Sequence, residues 1–129
     1  MTNAGRAPEQ LTVVEEAGVR FVEGPPGLKF MRSIEDAGLV VEACFSSGAD
    51  SALLYASNLT ERFFDLSSGE AGAILQKLRN YRIRVAVVCR PENARFSSRF
   101  SEMMAEESRV DHFRVFESSR SAREWLRRV

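Results

Sequence analysis

Lysine is nearly missing from this sequence: among eighteen basic residues, Lys29 and Lys77 are the only lysines, and arginine carries the rest. A charge surplus is missing too, because eighteen acidic residues balance the basic ones. That excludes the basic excess of a general nucleic-acid binder. His112 is the single histidine, and Cys44 and Cys89 are the only cysteines. A zinc site made of clustered His and Cys is therefore not expected. Two cysteines do not make a disulfide framework, so reduced thiols in a cytoplasmic protein are the simpler reading. No apolar run reaches the roughly 18–20 residues of a membrane helix. The opening MTNAGRAPEQ lacks the apolar stretch of a signal peptide. The expectation is no nucleic acid, no membrane, no metal and no cofactor.

What is present is ordinary globular composition, 44% apolar and 28% charged over 129 residues. That length predicts one α/β domain over residues 11–129, preceded by a flexible tail over 1–10.

The chain alternates strand and helix signals. Leu11–Glu15 and Val19–Glu23 are β-rich runs around Glu16-Ala17-Gly18, which predicts a hairpin. Gly24-Pro25-Pro26-Gly27 forces a turn. Ser33-Ile34-Glu35-Asp36 fits a capping box, with Ile34, Ala37, Gly38, Val41 and Phe45 as the buried stripe of the first helix. Ser51–Ala56 reads as a buried strand. Ser67-Ser68-Gly69-Glu70 fits a second capping box, and Ala71, Ile74, Leu75 and Leu78 give that helix a core face. Ile83–Val88 has the continuous β-branched run of a central strand covered on both faces. Phe96, Phe100, Met103 and Met104 space a third helix. His112–Glu117 alternates as a last strand. Ala122, Trp125, Leu126 and Val129 line a C-terminal helix, whose arginines read as a solvated face or as a dock for an acidic partner. The order ββαβαβαβα implies a mixed, mostly parallel sheet with right-handed crossovers and an N-terminal hairpin.

One stretch is denser than the rest. Phe63-Phe64-Asp65-Leu66, Ser68-Gly69, Ala71-Gly72, Leu75-Gln76-Lys77 and Asn80-Tyr81 resemble the core pattern of a bacterial family known as domain of unknown function 4180. The chain departs from that pattern at Cys89-Arg90, where the family tends to carry Gly-Asp, and at Arg109-Val110-Asp111. More faintly, the element order and Asp65-Leu66-Ser67-Ser68-Gly69 resemble STAS domains, the anti-sigma factor antagonist fold, with one residue inserted in the turn. That resemblance implies a phosphorylatable serine at the start of the second helix.

The candidate sites each have a plainer structural explanation. Ser67, Ser68 and Gly69 suit a phosphate or other anion at a helix N-terminus, or simply cap that helix. Gln76, Asn80 and Tyr81 form either a docking face or a solvated helix end. Phe63 and Phe64 plug the core or meet a partner. Cys89, at the end of a parallel strand, is a buried hydrophobe or, if Arg90 lowers its pKa, a reactive thiol. No nucleophile has an evident His and acid beside it. The favoured function is a non-enzymatic regulatory or protein-interaction module that self-associates as a dimer. The alternative is a small-molecule or anion binder, with or without catalytic activity, using the C-terminal ends of the strands around Ser67, Cys89 and Asn93.

Overall fold

Ala17 and Gly18, both left-handed at φ 51° and 80°, set the first turn. Two such residues in succession make a type I′ hairpin, whose twist matches that of the strands it joins. It connects β1 (Thr12–Glu16) to β2 (Val19–Glu23), with Glu16 opposite Val19 and Val14 opposite Phe21. Glu16 thus belongs to the ladder rather than to the turn, and Leu11 enters the core ahead of β1. The computed structural model describes residues 11–31, 33–59, 69–90, 102, 105 and 111–128. The expected tail over 1–10 lies outside them.

The remaining elements are α1 (Ala37–Ser47), β3 (Ser51–Tyr55), α2 (Glu70–Asn80), β4 (Arg84–Val88), β5 (Phe113–Phe116) and α3 (Ser119–Leu126). The five strands form one mixed sheet in the order β1-β2-β3-β4-β5. The first pair is antiparallel and the other three pairs are parallel. Phe96, Phe100, Met103 and Met104 of the expected third helix lie outside the described residues. Glu102 and Ala105, between and beyond them, are helical and exposed.

Strand alternation divides the sheet into two buried faces. In register, Val22, Ala52, Val85 and Phe113 form a row across one face. It packs on Ala37, Val40 and Cys44 of α1 and on Ala71, Ile74, Leu75 and Leu78 of α2. The α2 face is the one its spacing predicts. On the opposite face Phe21, Leu53 and Ala86 meet Ala122, Trp125 and Leu126 of α3. Val129 lies outside the described residues.

The first helix departs from expectation. Ser33 makes no side-chain cap, Ile34–Asp36 is a 3₁₀ turn, and α1 begins at Ala37. The Asp36 N–H, which a capping box would give to the Ser33 hydroxyl, instead donates to the Ser33 backbone carbonyl at 3.1 Å. The tighter turn also rotates α1 relative to the phase expected for it. The buried stripe is Ala37, Val40, Ala43 and Cys44, while Ile34 and Phe45 face solvent. AGLVVEACF is apolar on more than one side, so two stripes compete in the sequence and packing selects the other one. The second box shifts as well: Gly69, at φ 79°, is the N-cap of α2, and Glu70 is its first residue. Glu70 therefore does not occupy the third helical position that a box with Ser67 requires.

Beyond β3 the chain makes a 3₁₀ turn, Ala56–Asn58, that buries Asn58 completely. The Asn58 Oδ1 accepts from the Tyr55 N–H at 2.7 Å. Its Nδ2 donates to the Pro25 and Leu28 carbonyls at 2.6 and 2.7 Å. One amide thus pins the Gly24–Leu28 turn to the end of β3. Gly24 permits this approach, because a Cβ there would collide with the Asn58 amide.

The C-terminal arginines are not a simple solvated face. β-register places Glu16, Glu23 and Tyr55 on the side that α3 covers. Arg123 donates to Glu16 at 2.9 Å and to Glu23 at 2.7 Å. Arg127 donates to Glu16 at 3.0 Å. The Tyr55 hydroxyl donates to the other Glu23 oxygen at 2.5 Å. Arg84 lies 4.1 Å over the Trp125 ring and donates to the carbonyls of Trp125 and Arg128 at the end of α3.

Candidate interaction surface

α1 and α2 lie side by side on one sheet face, and their C-terminal ends share an exposed surface. Each ending has a local cause. Gly48, left-handed at φ 77°, closes α1, and the N–H groups of Gly48 and Ala49 both donate to the Cys44 carbonyl. The Arg20 guanidinium covers the Ser47 carbonyl at 2.6 Å. α2 closes in a Schellman turn. There the Arg82 N–H donates to Arg79 at 2.8 Å and the Ile83 N–H to Leu78 at 3.1 Å, with Arg82 left-handed at φ 59°. Ile83 and Leu78 close the turn through the core.

These two endings present Phe45 and Tyr81. Phe45 is 86% exposed and Tyr81 is 55% exposed. Between them lies a hollow of about 240 Å³ whose walls include Val41, Asp50 and Ile83. Cys44 lies at its base. Burial, with the charge of Asp50 adding, pushes the Cys44 thiol up to about 12, so it is protonated at neutral pH. Glu42 and Arg82 are exposed beside the two aromatics.

Of the residues singled out from sequence, Gln76 and Asn80 are exposed one turn apart on α2, and the Gln76 Nε2 donates to the Asn80 Oδ1 at 3.0 Å. Tyr81 directly follows them as the C-cap. Gly69 is exposed at the other end of α2. Ser67, Ser68, Phe63 and Phe64 lie outside the described residues. Sequence reasoning missed Phe45 by assigning it to the core. The signal available was Val40 with Cys44, which make an equally regular stripe.

A second hollow, of about 420 Å³, opens at the C-terminal ends of β3 and β4, among Pro26, Tyr55, Ser57, Cys89, Arg90 and Glu117. Burial raises the pKa of the Cys89 thiol, contrary to the activation that Arg90 would have provided. Ser118, also on its wall, is engaged as the α3 cap, its hydroxyl accepting from the Ser121 N–H at 3.2 Å. Asn93 lies outside the described residues. Among the described residues, no three His, Cys, Asp or Glu side chains converge as metal ligands, and no helix is long and apolar enough to cross a membrane.

Fold and surface together define an α/β domain with a mixed five-stranded sheet, helices on both faces, and an aromatic patch at the ends of two of them. The chain belongs to the family described as Domain of unknown function (DUF4180), whose model matches residues 16–126. Among curated proteins, none matches the sequence. A crystal structure from Thermotoga maritima, described as a candidate anti-sigma factor antagonist, covers 96% of this chain and 100% of its own at 16% identity, with a TM-score of 0.49. A likeness of that degree says nothing of function.

Proposed function

We propose that this domain is a non-enzymatic interaction module that docks a protein partner where α1 and α2 end. Phe45 carries the reading. A phenylalanine left 86% exposed forgoes much of the roughly 1.5–3 kcal/mol that burial supplies, and its neighbour Tyr81 is of a type enriched at interface hot spots. Gln76 and Asn80 supply a polar rim near this aromatic centre. The two thiols support a binding rather than a chemical role, since both are held protonated and the thiolate is the nucleophilic form.

The test is a photo-crosslinking side chain placed at position 45, with position 120, on α3 across the sheet, as the control. Irradiation in the producing cell gives a discrete adduct from position 45 and none from position 120. Absence of an adduct at 45 overturns the reading.

One observation favours a second reading. The hollow at the strand ends has Arg90 and Ser57 on its wall, with Glu117 opposing them, and the first two are residue types suited to a small anion. That reading requires the melting temperature to rise in millimolar phosphate or dicarboxylate and the rise to vanish in Arg90→Ala. No shift in the parent protein removes it.

A further inference from the structure

The charges around the aromatic patch point to one occupant, and this inference rests on the interaction reading above. Glu42 sits on the exposed side of α1, one turn before Phe45. Arg82 sits next to Tyr81 at the end of α2. Both side chains are exposed, and neither forms an ion pair among the described residues. On the α3 face, by contrast, Glu16, Glu23, Arg123 and Arg127 are all paired. The α1 element of the patch therefore carries an acid beside Phe45, and the end of α2 carries a base beside Tyr81. A two-fold axis that passes through the aromatic centre and runs across the line from acid to base exchanges the two sides, so that each copy's acid meets the other's base. A partner of uniformly acidic or basic surface would meet repulsion from one half of the patch.

We infer that the occupant is a second copy of this chain, docked isologously with Phe45 and Tyr81 at the axis and Glu42 of each copy opposite Arg82 of the other. Asp50, exposed on the wall of the same hollow, adds to the acidic side. Each charge substitution counts twice in such a dimer, because both symmetric contacts change.

The test is sedimentation velocity at micromolar to submillimolar concentration in low salt. The parent chain shows a concentration-dependent dimer, and Phe45→Asp gives a monomer. Glu42→Arg and Arg82→Glu singly weaken the dimer about tenfold, the size expected when two rim contacts turn from attraction to repulsion. The double exchange restores most of the loss, because opposite charges again face each other. A circular-dichroism spectrum equal to that of the parent keeps misfolding from imitating the result. A chain that stays monomeric throughout, or a double exchange no tighter than the singles, overturns the inference. Adducts at position 45 only with a different protein would overturn it too, while leaving the interaction reading in place. No adduct at all sinks both.

Discussion

Arg123 and Glu23 are a hundred residues apart in sequence and 2.7 Å apart in space. The contact ties α3 to the inner strand of the opening hairpin, and the same guanidinium holds Glu16 on the outer strand. Burial of Arg123 opposes its charge, but the bond and charge of Glu23, with the charge of Glu16, outweigh it and raise the pKa of Arg123. Removing Glu23 leaves Arg123 with Glu16 alone and takes the acceptor from the Tyr55 hydroxyl. Glu23→Ala should cost about 1–3 kcal/mol in urea unfolding. A cycle with Arg123→Ala should show a coupling above about 0.5 kcal/mol, and strict additivity would show that the pair contributes nothing.

Asn58 holds the Gly24–Leu28 turn through three hydrogen bonds from a completely buried amide. Asn58→Ala should destabilise by about 2–4 kcal/mol, since the Tyr55 N–H and two carbonyls lose their partner. Asn58→Asp should be worse, because a carboxylate cannot donate to the Pro25 and Leu28 carbonyls. Gly24→Ala should also destabilise, but by less when Asn58 is already alanine. Thermal melts of the four variants decide this.

Trp125 is the only tryptophan, which makes its emission a probe of one site. Arg84 stacks on it, and Asp111 accepts from its indole N–H at 2.8 Å. Arg84→Met should red-shift the emission, loosen the end of α3 and cost about 1–2 kcal/mol. An unchanged spectrum and melt would mean the stack is idle.

Alkali should unfold the protein through two acids held protonated in the fold, the buried Cys44 and the half-buried Tyr55. Burial, with Asp50 adding, raises Cys44 to about 12. Burial and the Glu23 hydrogen bond raise Tyr55 to about 12. The folded state therefore keeps these protons to higher pH than the unfolded chain, whose values are about 8.5 and 10. The stability they supply is complete below those values and is lost as pH rises towards about 12. The melting temperature should fall from about pH 9 upward. Cys44→Ala should flatten the first part of the fall and Tyr55→Phe the second. Equal slopes in all three proteins would refute this account.

Arg82 occupies the left-handed position of a Schellman turn, where glycine is usual. Arg82→Gly should stabilise the monomer by up to about 1 kcal/mol in urea unfolding. Destabilisation would mean that the arginine side chain contributes more than its backbone geometry costs.

The sheet was legible wherever one pattern had no competitor. Ile83–Val88 and Val19–Glu23 could only be strands, and Ala71, Ile74, Leu75 and Leu78 could only be one face of a helix. Phe45 was not legible, because α1 offers two apolar stripes and the choice between them depends on the 3₁₀ turn at Ile34. The Glu16–Arg123–Glu23 network was hidden by distance: strand register puts both acids on one face, but only the tertiary fold brings α3 there. Asn58 looked like any loop asparagine until the turn it pins was in place. On the candidate surface, Gln76, Asn80 and Tyr81 stood out because packing did not account for them, whereas Phe45 stood out only once packing was known.

The two faces of the sheet also differ in when they can be completed. Every described element covering Val22, Ala52 and Val85 precedes the end of β4, apart from β5 at the sheet edge. Among the described elements, α3 alone covers the face of Phe21, Leu53 and Ala86. On a ribosome adding roughly 5–20 residues per second, the wait for α3 lasts seconds. During it the nascent chain carries a half-finished sheet with an acid, Glu23, among its bare apolar side chains. The first half of the molecule therefore keeps this apolar face bare until α3 arrives, and a chain truncated before Ser119 would leave it bare permanently.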